Sequence, residues 1–140
     1  MGLYLCVFAD PATDEELEGV EVGGYDDFNR FRETVAEHLE PSGWGSRFPV
    51  LMQHPDSDGA WTPAEAVGLE QELLAIRDGL ARLAPVPFAA GWQQEVARQV
   101  GLRPASLLEC FIDVDGEPLV ERLIELAGIA RSQDRDISFQ

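Results

Sequence analysis

Residues 3–8, LYLCVF, form an unbroken apolar run followed by Asp10-Pro11, the pattern of a short buried strand closed by a turn. The next run, ELEGVEVGGY, sets Leu17, Val20 and Val22 among acids and glycines and predicts a half-exposed second strand, paired with the first as a hairpin. From Tyr25 the spacing changes to three and four: Phe28, Phe31, Val35 and Leu39 mark one face of an amphipathic helix. Asp26 or Asp27 can cap it, and Pro41 stops it.

A glycine-rich link, PSGWGSRF, leads into FPVLMQ, an apolar run that reads as a strand. The longest helical stripe follows in Ala66, Leu69, Leu73, Ile76, Leu80 and Leu83, ended by Pro85 and Pro87. Such a stripe must face a core or a partner. A shorter helix is expected with Trp92, Val96 and Val100 on one side and Gly101 at its end. SLLECFIDVDGE reads as a helical turn, with Ser106 and Glu109 as a capping box, and then extended chain. Pro118 suits the first turn of a last helix carrying Leu119, Leu123, Leu126 and Ala130, and DISFQ reads as a closing strand. The order implies a single α+β domain over 1–140, a mixed or antiparallel sheet packed with about four helices.

Composition supports a globular chain: 45% of residues are hydrophobic and 26% charged. The apolar N-terminal block lacks the basic start and small-residue cleavage site of a signal peptide, so a cytoplasmic protein is expected. Cys6 and Cys110 are too few and too distant for a zinc or redox motif and read as core residues. Charge changes the picture more. Twenty-six acids against ten arginines give a net charge of -16, and eleven of those acids fall in residues 1–40 beside only Arg30 and Arg32. Such a field repels nucleic acid and anionic membrane and favours a basic protein partner.

The stretch HPDSDGAWTPAE, His54 to Glu65, carries acids at calcium-loop spacing: Asp56 and Asp58 at the third and fifth places and Glu65 at the twelfth. Its first place holds His54, its second Pro55, and the chain before it reads as extended. The same letters also spell a helix start, with Asp58-Gly59 as turn, Thr62 as N-cap, Pro63 at the first position and Glu65 completing a capping box. A second acidic turn, Asp113, Asp115 and Gly116, would place Arg122 at the twelfth position, where no ligand results. No cofactor is expected. The two histidines, His38 and His54, find no nucleophile and orienting carboxylate by spacing, and no glycine loop matches a phosphate cradle, so no enzyme is expected. Trp44, in a glycine loop beside Arg47, and Trp61, in an acidic turn, are candidate interface anchors unless they fold back over the core.

The segments MGLYLCVF, VEVGGYDDFNRFR, GSRFP, HPDSDGAW, FIDVDGEPLVERL and the final SFQ together resemble the polymorphic-toxin immunity family known as immunity protein 70, over nearly the whole chain. The resemblance implies a small cytoplasmic bacterial protein that binds a cognate toxin domain and blocks it. No binding residues come with it. From the residues themselves, the two acidic turns, Asp56 and Asp58 with Trp61, and Asp113, Asp115 and Glu117, are the expected contacts for a basic toxin domain such as a nuclease. The competing readings are a calcium or zinc protein using His54, Asp56, Asp58 and Glu65, and a general acidic interaction module.

Overall fold

The computed structural model describes residues 2–10 and 12–140, so Pro11, half of the expected Asp-Pro turn, lies outside the described residues. Strands β1 (Gly2–Phe8) and β2 (Glu16–Gly24) form the expected antiparallel hairpin, with Leu5 opposite Val20 and Cys6 opposite Gly19. Helix α1 (Tyr25–Leu39) follows directly. Its cap is Asp27 at the third helical position, whose carboxylate accepts the Gly24 N–H at 2.7 Å.

FPVLMQ departs from its strand reading. Pro49–Met52 is a single helical turn, α2, whose first N–H groups, those of Val50 and Leu51, donate to the Glu72 carboxylate at 3.0 and 2.9 Å. The third strand, β3, is instead the two residues Ala60–Trp61. Helix α3 (Pro63–Leu80) begins at the Thr62 and Glu65 capping box, closed by bonds of 3.0 and 3.2 Å. Helix α4 (Gly91–Val100) ends at left-handed Gly101, but it buries Gln93 and Ala97 rather than the Trp92, Val96 and Val100 face, leaving Val100 exposed. Leu107–Cys110 is a 3₁₀ turn without the Ser106 cap; Glu109 accepts from Ala105 N–H instead. Helix α5 (Leu119–Gln133) and strand β4 (Ile137–Phe139) complete the chain.

The four strands are antiparallel in the order β2-β1-β4-β3, so the first and last strands of the chain pair at the centre. This is an α+β architecture. Leu3, Leu5 and Val7 of β1 and Val20 and Val22 of β2 join one core with Phe28, Phe31 and Val35 of α1, the α3 stripe and Leu119, Leu123, Leu126 and Ala130 of α5. At about 25 cal/mol per Å² of apolar surface, each of the valine, leucine, isoleucine and phenylalanine side chains among them contributes about 1.5–3 kcal/mol. Helices α3 and α5 run antiparallel, tied at their two ends by Arg77–Glu121 and Arg131–Glu70. The stripe that had to face a core or a partner thus faces the core.

Candidate functional site

The 54–60 turn hangs on side chains from three directions. The His54 ring stacks on Phe139 at 4.2 Å, with Nδ1 2.7 Å from the Pro55 carbonyl oxygen and Nε2 3.1 Å from that of Ala60. Asp56 accepts from Asn29 of α1 at 2.6 Å. Asp58 is exposed, and Glu65 is spent on the α3 cap. The donors of the calcium or zinc reading therefore turn to separate partners, and among the described residues no three His, Cys, Asp or Glu side chains converge on one point. The run from His54 to Glu65 is a bracketed turn followed by a capped helix.

Trp61 does not belong to an outer surface. It is 1% exposed, packs edge-on to Phe139 at 4.8 Å, and donates its indole N–H to the Val50 carbonyl at 3.0 Å. As a strand residue packed against both His54 and Phe139, it is part of the core. Asp113 is likewise interior, at 2% exposure: its Oδ1 accepts the N–H groups of Asp115 and Glu117, both at 2.9 Å, and its Oδ2 lies 3.5 Å from Arg122 Nε. It shapes the second acidic turn and presents nothing. Asp115 and Glu117 do project from that turn, over which Val96 and Val100 of α4 lie close to Gly116.

The two turns stand at opposite edges of the sheet. The first leads into β3, and the second docks on β2 through Val114 N–H to the Glu21 carbonyl at 3.0 Å. With β1 and β4 between them, the strand axes alone separate the edges by roughly 14 Å.

Pairing decides where the negative charge remains. Arg122 is ringed by Glu18, Asp113 and Glu125, and its hydrogen bond to Glu18 holds that carboxyl below the usual range. Arg30, Arg77, Arg82, Arg98 and Arg131 each pair with an acid, and Arg32, Arg47 and Arg135 donate to backbone carbonyls. Asp58, Asp115 and Glu117 are exposed with no arginine against them among the described residues. Both cysteines are buried, and desolvation pushes their thiols up, Cys6 to about 11, which leaves them unreactive.

Sequence reasoning passed over the group that organises residues 40–54. Buried Glu40 accepts three backbone N–H groups, from Gly45, Arg47 and Phe48, at 3.1, 3.0 and 2.9 Å. Buried Arg32 donates to the carbonyls of Leu51, Met52 and His54 and to Asn29 Oδ1. Glu72 anchors α2 from the other side, and burial raises its pKa. One signal was available: Arg32 lies four residues after Phe28, on the apolar face of its helix, where a charge needs a buried partner. From the same loop Trp44 projects, 47% exposed, beside Arg47.

No helix among the described residues is long and apolar enough to cross a membrane. No curated protein and no solved structure shows a significant match to this chain. A family model described as Immunity protein 70 matches residues 3–139, nearly end to end across the hairpin, both acidic turns and the closing strand, and the chain accordingly belongs to the immunity protein 70 family.

Proposed function

We propose that this protein neutralises a cognate bacterial polymorphic toxin domain in the cytoplasm by binding it through an acidic surface, with no catalysis of its own. The toxin domain on this reading is basic, and a nuclease fits best, because a phosphate-binding groove is lined by the cations that exposed carboxylates can occupy. The observation that carries the reading is the unequal pairing of charge. Nine of the ten arginines pair with an acid or donate to a backbone carbonyl within the chain, while Asp58, Asp115 and Glu117 face solvent with no arginine beside them among the described residues. Membership of the immunity protein 70 family supplies the class of partner. Nucleic acid and anionic membrane are repelled by the same field.

The test is co-expression with the C-terminal domain of the polymorphic toxin encoded beside this gene. Rescue of growth together with co-purification is the expected result. A domain that kills cells equally with and without this protein overturns the reading.

A further inference from the structure

The three tryptophans are placed for different ends. Trp61 is interior, and Trp92 is half-buried with its N–H donated to Asp27 at 2.9 Å. Trp44 alone is exposed, yet it is not loose. Its indole N–H donates to the Met52 carbonyl at 2.8 Å, and its ring lies 5.6 Å from the Arg32 guanidinium, which also covers Phe28 at 4.6 Å. Gly43 and Gly45 flank it at φ +115° and +77°, conformations that a side chain at either position would resist. The turn is closed by Gly43 N–H to the Glu40 carbonyl and Ser46 N–H to the Gly43 carbonyl, and the Glu40 carboxylate holds the residues that follow.

Holding this loop is expensive. Glu40 is 3% exposed and Arg32 5%, neither is paired with an opposite charge at salt-bridge distance, and Arg32 Nε is buried with no hydrogen-bond partner. Buried charges and an orphaned donor oppose stability, and a protein retains such departures where a surface must be kept in one shape. Arg32 also joins that loop to the first acidic turn, since Asn29 accepts from Arg32 at 2.7 Å and donates to Asp56 at 2.6 Å. Trp44 therefore meets this guanidinium directly and Asp56 meets it through Asn29, and Asp58 lies two residues further along the turn.

We propose that the Trp44 loop is the anchor of the toxin interface, the exposed indole receiving a basic side chain of the toxin domain and the Asp56–Asp58 turn, joined to the loop through Asn29 and Arg32, lying on the same edge. The inference rests on the function proposed above and narrows it to one edge of the molecule. An exposed indole on a chain of net charge -16, joined to the Asp56 turn through Arg32 and Asn29, fits an arginine or lysine side chain, by cation–π attraction on its open face and long-range charge together. A tryptophan held in place before binding loses little freedom on association, which is how a few side chains come to dominate an interface.

The test uses the full chain labelled with 5-fluorotryptophan, whose three resonances are assigned with Trp44→Phe and Trp92→Phe, titrated with a catalytically inactivated form of the adjacent toxin domain. The expected result is a shift of the Trp44 resonance at one equivalent with the Trp61 resonance unmoved. In parallel, Trp44→Ala should weaken binding at least tenfold, mainly through faster dissociation, with the melting temperature close to that of the wild type. A wild-type complex in which the Trp44 resonance stays in place, or in which Trp44→Ala binds within twofold, overturns this inference and leaves the proposed function standing. No complex with the wild type overturns both.

Discussion

Glu18 and Glu72 are carboxylates in opposite electrostatic situations, and each makes its own claim on stability. The hydrogen bond from Arg122 lowers the Glu18 pKa from its ordinary 4.5, so its contribution is present above that value and is lost as pH falls through the depressed one. Burial raises the Glu72 pKa above 4.5, so its contribution is full below 4.5 and is lost as pH rises through the raised one. Two variants separate the effects in thermal melts. The stability gap between wild type and Glu18→Gln should close as pH drops below 4.5, whereas the gap to Glu72→Gln should move in favour of the wild type as pH drops towards 4.5. Parallel behaviour of the two gaps would refute the assignment. Trp61 and Asp113 both sit in stretches that read as exposed acidic turns, and both are interior, Trp61 because it is itself a strand residue pairing with Ile137 and Asp113 because the chain folds back to set Arg122 against it.

The α3 start is the element most completely written in local sequence. Thr62, Pro63 and Glu65 satisfy the first turn among themselves, whatever packs nearby. Thr62→Ala should therefore cost about 1 kcal/mol, seen as a fall in melting temperature of about 3 °C for a chain of this length. An unchanged melting temperature would show the cap to be redundant with the α3 stripe. Other elements were less legible for a physical reason. FPVLMQ is apolar without a decisive period, and its helical turn is supported by Glu72, 22 and 21 residues further on, which offers a carboxylate to the Val50 and Leu51 N–H groups. In α4 the apolar letters pointed to the wrong face, because Val96 and Val100 lie against Gly116 while Ala97 and Gln93 turn inward.

Across the whole molecule, a net charge of -16 acts at long range while the proposed contact acts at one edge. The two scales separate experimentally because the acidic turns stand roughly 14 Å apart by strand count, beyond the Debye length of about 8 Å at physiological salt. Asp58→Lys should lower both the association rate and the affinity for the toxin domain. Asp115→Lys combined with Glu117→Lys should lower the association rate at low salt and leave the dissociation rate unchanged. Surface plasmon resonance across a salt series reads both quantities. Should the double reversal at the β2 edge cost more affinity than Asp58→Lys, the contact lies at that edge instead.

Local spacing and composition carry the hairpin, the helical stripes, the α3 cap, the α+β class, the acidity, and the resemblance to immunity protein 70. Tertiary structure alone decided which acids remain outside. Asp113 and Asp115 differ by two positions and are identical in kind, yet one is enclosed by Arg122 and backbone N–H groups and the other faces water. The fold also places the two acidic turns at opposite edges of the sheet, and links Trp44 to Asp56 through Arg32 and Asn29. Charge and exposure of a side chain depend on partners distant in sequence, such as Arg122 for Glu18 and Glu72 for Leu51, and no local pattern of letters contains those distances.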